Sequence, residues 1–273
     1  MERIITDDEV EIILTDLLEI YGYDFLDYSR ASITRRINRL FLLDKFPSFA
    51  EYRHKIMSDP DYLKRVVEEI TVNVTEMFRD PSFYKTLRTE VIPVLATHPF
   101  IRIWHAGAST GEEVYSMAIL LYEANLLHKS LIYATDINPG VLDKAKAGYF
   151  PLDSMKQYSE NYISSGGQRD FSTYYTAKYG KAKFNGSLGE KMIFATHNLV
   201  SDRSFNEFQL ILCRNVLIYF DKQLQEKAFH LFDESLDQLG YLALGAKETL
   251  KFSGIIKKFK LIKTGEKIWK KIT

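Results

Sequence analysis

I-R-I-W-H-A-G-A-S-T-G-E-E-V-Y-S-M-A, the stretch from Ile101 to Ala118, decides how this chain folds. Its first half alternates apolar and β-favouring residues as a buried strand does, and its end has the apolar periodicity of a helix. Between them, Gly107 and Gly111 frame three small residues. Because glycine adopts positive φ and has no Cβ, the stretch predicts a strand, a tight loop and a helix, with a ligand close to the loop backbone.

Two acids at the start of the predicted helix narrow the class of that ligand. Glu112 and Glu113 lie in the first helical turn, where a carboxylate favours the helix dipole but repels phosphate. The G-x-G-x-x-G spacing of dinucleotide loops and the lysine of phosphate loops are both absent. A cationic ligand without phosphate is therefore predicted, and S-adenosylmethionine (SAM) fits that description. The alternative is a small-residue loop that only packs a helix closely on a sheet.

The composition is that of a globular protein, and the 273 residues suffice for one large domain or two small ones. Lys plus Arg and Asp plus Glu each number 36, so no global charge favours nucleic acid or an anionic membrane. One cysteine, no secretory signal pattern and no apolar run of about 18 residues predict a cytoplasmic protein without direct membrane insertion. The histidines show no ligand-like spacing, so no metal is expected.

Residues 1–90 have helical periodicity and predict an all-α module that ends in a linker. Its second helix, capped near Ser29, carries three arginines largely opposite the apolar stripe. The segment T-V-N-V-T-E-M-F-R-D-P, residues 71–81, breaks the helical pattern before Asp80 and Pro81 restart a helix. A polar connection at a domain junction predicts a site there, although it can also be a plain capping loop. The arginines are Arg35, Arg36 and Arg39, and the polar residues are Asn73, Thr75 and Arg79.

Residues 91–273 predict an α/β domain with a mostly parallel sheet. Its second strand ends at Asp136, beside the glycine loop, because strand–helix–strand units form right-handed parallel crossovers. An acid there can accept both hydroxyls of a ribose, or it can cap the helix that begins near Pro139. A tyrosine-rich insertion at about 150–190 predicts a small β subdomain, with either a recognition role or a packing role.

The last third of the chain predicts two more buried strands, a helix to about Leu239 that Gly240 closes, another strand and a lysine-rich closing hairpin. The lysines are interpreted as the solvated face and protected edge of that hairpin. A parallel sheet that ends in an antiparallel hairpin is the plan of the Rossmann-like SAM-dependent methyltransferase fold. That fold is predicted here, with the N-terminal all-α module and the inserted β subdomain added to it.

Five blocks of the sequence resemble one family in order and approximate spacing. They are N-V-T-E-M-F-R-D-P, A-S-T-G-E-E-V-Y-S, A-T-D-I-N, H-N-L and L-C-R-N-V-L-I-Y-F-D. The chain resembles the CheR-type chemoreceptor methyltransferases over nearly its whole length. Members of that family methylate glutamates on receptor signalling helices with SAM.

The resemblance implies a SAM pocket, and the chemistry of the side chains agrees with it. Glu113 can meet the cationic amino end, Asp136 the ribose diol, and Asn198 with Leu199 the adenine. With Gly107 of the glycine loop, the implied cofactor residues are Asn73, Thr75, Arg79, Gly107, Glu113, Asp136, Asn198, Leu199, Arg214 and Asn215. Three departures from the family pattern remove no charged ligand group: Ala108 for Cys, Val114 for Pro, and G-A-K-E at 245–248 for G-x-S-E.

The implied activity is SAM-dependent protein-glutamate O-methylation, with S-adenosylhomocysteine as product and no metal. A glutamate carboxylate is ionised at neutral pH, so no general base is required. Arg79 and Tyr219 are the candidates for orienting that carboxylate, although Tyr219 can also be a core tyrosine.

Docking on acidic receptor helices is predicted for Arg35, Arg36 and Arg39, because an arginine fork can grip carboxylates in two places. The other interpretation of the three arginines is a solvated helix face. A monomer is expected. The alternative functions are a SAM methyltransferase acting on another protein or a small acid, a non-catalytic SAM-binding signalling module, and, least favoured, a nicotinamide dehydrogenase.

Overall fold

The computed structural model describes residues 4–26, 28–71, 75–263 and 265–273. The chain divides into a helical unit, Met1–Asn73 with Leu217–Gln225, and a sheet unit, Val74–Val216 with Glu226–Thr273. The sequence placed the end of the helical module and its linker near residue 90. In the structure, residues 75–90 belong to the sheet unit, because apolar side chains such as Phe83 and Leu87 join its core.

Four helices lie entirely within the described residues of the helical unit. They are α1 (Asp7–Tyr21), α2 (Arg30–Leu43), α3 (Phe49–Ser58) and α4 (Pro60–Thr71). Thr6 and Glu9 form a capping box at the start of α1. A 3₁₀ helix, Leu217–Tyr219, completes the unit, since Ser29 N donates to Tyr219 O at 2.8 Å.

The remaining helices are α5 (Pro81–Thr86), α6 (Ile92–Leu95), α7 (Glu112–Glu123), α8 (Pro139–Ala147), α9 (Met155–Ser164), α10 (Gly186–Gly189) and α11 (Lys222–Ser235). A π-helix, Leu87–Val91, joins α5 to α6. Further 3₁₀ helices span Leu127–Lys129, Leu152–Ser154, Phe171–Tyr174 and Ile256–Lys258. None of the helices in the described ranges combines the length and the apolar character that a membrane crossing requires.

The strands are β1 (Ile101–Ala106), β2 (Ser130–Asp136), β3 (Tyr149–Pro151), β4 (Tyr175–Lys178), β5 (Lys181–Phe184), β6 (Met192–Thr196), β7 (Phe208–Cys213), β8 (Leu236–Leu244), β9 (Phe259–Leu261) and β10 (Ile268–Lys271). Within the described residues, seven of these strands form one sheet, in the order β6-β2-β1-β7-β8-β10-β9. The first five of these are parallel, and β10 is antiparallel to both neighbours. This order confirms the predicted fold with its closing hairpin.

The inserted segment forms a small antiparallel sheet in the order β3-β5-β4, which confirms the predicted β subdomain. Glu123, at the end of α7, ties this insertion to the core. Its side chain is 1% exposed and pairs with Arg88 at 2.6 Å. It also accepts hydrogen bonds from the Tyr162 hydroxyl, the Tyr174 hydroxyl at 3.0 Å and Gln168 N at 3.1 Å. We call these five residues the Glu123 network.

One element was predicted wrongly. The helix expected to reach Leu239 ends at Ser235, and Gly240 lies within β8 instead of closing a helix. Leu236 is buried and pairs with Phe208 before the register shifts. Burial of this side chain in the sheet therefore outweighs the helical pattern that continues in the sequence.

Candidate functional site

Four segments at the ends of parallel strands carry most of the predicted cofactor residues. The glycine loop follows β1, Asp136 ends β2, Asn198 follows β6 and Arg214 follows β7. The strand register pairs β1 with β2 on one side and with β7 on the other, and β2 with β6. The four segments therefore meet at the carboxyl edge of the sheet, where the strand order reverses and α/β proteins bind ligands.

The glycine loop has the tight geometry that the sequence predicts. Gly107 has φ 81°, and a Cβ there would lie 2.4 Å from Val216 Cγ2. Gly111 has φ 94°, and a Cβ there would lie 2.8 Å from the Cβ of Ala145. Any larger residue would clash at both positions, so glycine alone lets the loop turn directly from β1 into α7.

Asp136 holds the glycine loop against the end of β2. Its carboxylate accepts hydrogen bonds from Ser109 N at 2.9 Å and from Asn138 N at 3.0 Å. The cap of α8 is Asn138, whose side chain accepts from Gly140 N at 2.9 Å, so the capping alternative for Asp136 does not apply. Burial raises the pKa of Asp136, against the backbone hydrogen bonds that lower it. A backbone hydrogen bond from Ile137 acts in the same direction, so about one of the roughly four acceptor positions of an ionised carboxylate remains open.

Glu113 and Arg214 form a buried ion pair that two further residues extend. Glu113 Oε2 lies 2.9 Å from Arg214 Nη1, and its Oε1 lies 3.0 Å from His105 Nδ1. Arg214 Nη2 pairs with Asp80 Oδ2 at 2.7 Å. The Arg214 side chain is 2% exposed, and its guanidinium carbon lies 3.9 Å from the centre of the Phe83 ring. We call His105, Glu113, Arg214 and Asp80 the Arg214 cluster.

The charges of the Arg214 cluster stabilise one another. Burial alone would raise the pKa of Glu113, but the hydrogen bond with His105 and the positive charge of Arg214 lower it below its ordinary value. Burial likewise acts against the charge of Arg214, but the negative charge of Glu113 raises the pKa of Arg214 overall. Glu113 is therefore ionised at neutral pH, and its carboxylate keeps acceptor positions for a cation.

Glu248 fixes the turn that follows β7. Its carboxylate accepts hydrogen bonds from Gly245 N at 2.6 Å, Asn215 N at 3.0 Å and Val216 N at 2.9 Å. Asn215 has φ 60°, a left-handed conformation that is costly for a non-glycine residue and that these bonds stabilise. Sequence reasoning noted G-A-K-E only as a departure from the family pattern and missed this role. Lys247, the residue that departs, is exposed.

Asn198, Leu199, Thr75 and Arg79 also lie in the sheet unit. Asn198 is half-buried and accepts from Val200 N at 2.9 Å, while Leu199 is buried. Thr75 and Arg79 are half-buried in the segment before α5, where Arg79 O lies 3.4 Å from Arg214 Nη2. Asn73 lies outside the described residues. Within the described ranges, no three His, Cys, Asp or Glu side chains are grouped as a metal site needs.

Tyr219 and the three arginines belong to the helical unit. The Arg36 guanidinium carbon lies 5.4 Å from the centre of the Tyr219 ring, and Arg36 Nη1 donates to Glu69 O at 3.0 Å. Arg39 pairs with Glu69 Oε1 at 2.6 Å. Arg35 is exposed and has no ion-pair partner among the residues that the structure describes. The three arginines are therefore not equivalent, and Arg35 is the one most available to a partner.

Comparison with known proteins gives the family. The family model described as "CheR methyltransferase, SAM binding domain" matches residues 73–268, and the model described as "CheR methyltransferase, all-alpha domain" matches residues 8–71. The chain belongs to the CheR methyltransferase family. This membership confirms the resemblance seen in the five sequence blocks, and it means that the chain contains a SAM-binding methyltransferase domain.

Relatives in the CheR family match most of the chain. Cher3 of Pseudomonas putida is 47% identical over 268 residues, which are 97% of each protein. Chemotaxis protein methyltransferase 2 of Pseudomonas aeruginosa is 33% identical over 226 residues, 81% of this chain and 79% of that protein. The chemotaxis protein methyltransferase of Listeria monocytogenes is 31% identical over 232 residues, 84% of this chain and 85% of that protein.

Two of the three departures from the CheR pattern are apolar side chains. Ala108 and Val114 are buried in the main core of the sheet unit. Neither side chain carries a polar atom, so neither replaces a hydrogen-bonding group of the Arg214 cluster.

Proposed function

We propose that this protein transfers a methyl group from SAM to glutamate side-chain carboxylates of chemoreceptor signalling helices, as a cytoplasmic monomer. The products are glutamyl methyl esters and S-adenosylhomocysteine. The observation that carries the proposal is that the two CheR family models match successive parts of the chain, from residue 8 to residue 268. The names of the relatives from Pseudomonas aeruginosa and Listeria monocytogenes support a chemotaxis substrate.

The residues at the carboxyl edge fit SAM. When bound, SAM supplies a methyl group on a positively charged sulfur. Glu113, ionised within the Arg214 cluster, receives the ammonium group, and the carboxylate of Asp136 at the end of β2 accepts from the ribose hydroxyls. Asn198 and Leu199 follow the neighbouring strand β6, where they can receive the adenine.

The acceptor carboxylate needs positioning more than acid–base chemistry. It is already ionised at neutral pH, so the protein must remove its water and align one oxygen with the methyl group. Arg79 and Tyr219 are proposed to orient this carboxylate.

The experiment that tests this function is transfer of a radiolabelled methyl group from SAM to purified cytoplasmic fragments of the organism's own chemoreceptors. Label that alkali releases as methanol marks an ester. Fragments with the acceptor glutamates changed to alanine are the control and should take up no label. SAM binding without transfer to any receptor fragment would instead support a non-catalytic module, and alkali-stable label would refute the glutamate ester.

Substitution of either acid is expected to weaken cofactor binding. Asp136→Ala and Glu113→Ala should each reduce the affinity for SAM and S-adenosylhomocysteine by roughly 1–3 kcal/mol, because each removes a charge-assisted hydrogen bond. Isothermal titration calorimetry measures both ligands. Asp143→Ala, an exposed acid on α8, is the control and should bind as the wild type does. Wild-type affinity in both acid variants would refute the proposed pocket.

Docking on the receptor is expected to depend on Arg35. Arg35→Glu should raise the KM for receptor about fivefold at low salt, the effect of roughly 1 kcal/mol that an exposed charge contact contributes. The effect should shrink as salt rises, and SAM affinity should not change. Lys64→Glu makes the same charge change on the exposed face of α4 and serves as control. Equal receptor kinetics in the two variants would show that Arg35 takes no part in recognition.

A further inference from the structure

We infer that His105 is a positioning residue of the cofactor site: its Nδ1–H holds the Glu113 carboxylate in the orientation that receives the amino end of SAM. The inference rests on the proposed function, since it concerns the same pocket. Neither the five sequence blocks nor the predicted site residues assign His105 a role in the site. The sequence analysis considers it only as one of the histidines that lack ligand-like spacing.

The hydrogen bond between His105 and Glu113 has a defined donor and a defined acceptor. His105 is 1% exposed, and its Nδ1 lies 3.0 Å from Glu113 Oε1. An ionised carboxylate accepts hydrogen bonds and cannot donate. Glu113 is ionised at neutral pH, because its hydrogen bond with His105 and the charge of Arg214 hold its pKa below the ordinary value against the effect of burial. The proton of this bond therefore sits on Nδ1.

Two donors hold Glu113, one on each oxygen. His105 on β1 binds Oε1, and Arg214, which follows the adjacent strand β7, binds Oε2 at 2.9 Å. Rotation of the carboxylate about its last bond would break at least one of these contacts. The free acceptor positions of Glu113 are therefore directed before any ligand arrives, which reduces the ordering that binding requires.

Packing alone does not account for a histidine at this place. Its strand neighbours are Ala134 on β2 and Leu212 on β7, and both belong to the apolar core. The second ring nitrogen, Nε2, is buried and has no hydrogen-bond partner among the residues that the structure describes. An unpaired buried polar atom costs stability, and an apolar side chain would avoid that cost. The hydrogen bond to Glu113 explains why a histidine occupies this buried position.

His105 is also a cleaner probe than Arg214. Arg214 binds Asp80 as well as Glu113, so its removal disturbs two acids and the segment before α5. The hydrogen bond described for the His105 ring goes to Glu113 alone. A substitution at His105 can therefore separate the orientation of Glu113 from the rest of the Arg214 cluster.

The test compares three substitutions in the full chain by calorimetric titration with SAM and with S-adenosylhomocysteine. His105→Asn places an amide N–H near the position of Nδ1 and should keep the affinity within about threefold of wild type. His105→Leu removes the donor, and His105→Gln moves it one bond further out. Both should lose about tenfold in affinity, the scale of one hydrogen bond to a charged group. Thermal melting without ligand checks that each variant is folded at the titration temperature.

Steady-state kinetics give a second readout that a merely structural role would not move. In His105→Leu and His105→Gln, the KM for SAM should rise while kcat at saturating SAM stays near the wild-type value. His105→Asn should restore the KM. Wild-type affinity in the Leu and Gln variants, or an equal loss in all three, would refute the role of the Nδ1 donor.

An error in the proposed function would give results different from an error in the role of His105. If wild-type protein binds SAM but methylates no receptor fragment, the substrate assignment is wrong, and the calorimetric comparison still decides the role of His105. Wild-type protein that binds no SAM would refute both.

Discussion

Glu123→Ala is expected to lower the free energy of unfolding by about 3–5 kcal/mol, because it removes one partner of a buried ion pair and leaves the other charge uncompensated. The Glu123 side chain is 1% exposed and that of Arg88 is 13% exposed. The substitution also removes the acceptor of the Tyr162 and Tyr174 hydroxyls and of Gln168 N. Urea denaturation measures the change, with Glu160→Ala, an exposed acid on α9, as control.

The effect of Glu123 should depend on pH in a defined direction. Burial would raise the pKa of Glu123, but the hydrogen bond from Tyr162 and the charge of Arg88 lower it below the ordinary value of 4.5. A lowered folded-state pKa gives stability that is complete above 4.5 and is lost as the pH falls through the folded value. The difference between wild type and Glu123→Ala should therefore shrink in acid. If Glu123→Ala lowered the free energy of unfolding at neutral pH no more than Glu160→Ala does, the Glu123 network would not stabilise the fold.

Arg214→Met is expected to reduce both stability and cofactor binding. The stability loss should be about 3 kcal/mol, the low end for a broken buried pair, because the side chain of Asp80 is 43% exposed and can return to water. SAM affinity should fall as well, since Glu113 loses the donor on Oε2. Urea denaturation and calorimetric titration measure the two quantities on the same protein.

The substitution Arg214→Lys distinguishes the contribution of the positive charge from that of the guanidinium geometry. Lysine keeps the positive charge, but its single ammonium lacks the planar fork with which Arg214 reaches Glu113 and Asp80 together. Stability between those of wild type and Arg214→Met is therefore expected. Wild-type stability in both variants would show that the double ion pair contributes nothing to the fold.

The parts of the fold that the sequence predicts correctly depend on local chemistry. The turn from β1 into α7 follows from strand alternation, two glycines and acids at the helix start, all within Ile101–Ala118. The closing hairpin likewise lies within one short segment. The helix that was expected to reach Leu239 shows the limit of such reasoning, because Leu236 is buried by pairing with Phe208 of β7, a contact that no pattern around Leu236 indicates.

The residues of the candidate site likewise include some that local sequence predicts and some that it does not. Asp136 and Glu113 could be predicted because acids at a strand end and at a helix start have recognisable positions. The partners of these acids could not be predicted: Arg214 lies 101 residues from Glu113 in sequence, and no local pattern encodes such a contact. Glu248 was missed for the same reason, since the amides of Asn215 and Val216 that it binds become neighbours only when β7 and β8 pair.

The helical unit is discontinuous, and this has a consequence for synthesis in the cell. Leu217–Gln225 belong to that unit, yet the ribosome makes them only after all of Val74–Val216. At about 5–20 residues per second, this delay is on the order of ten seconds. Until then, Ser29 N lacks its acceptor on Tyr219, and Tyr28 lacks its bridge to Phe220. The helical unit therefore remains incomplete until the residues after Val216 have been translated.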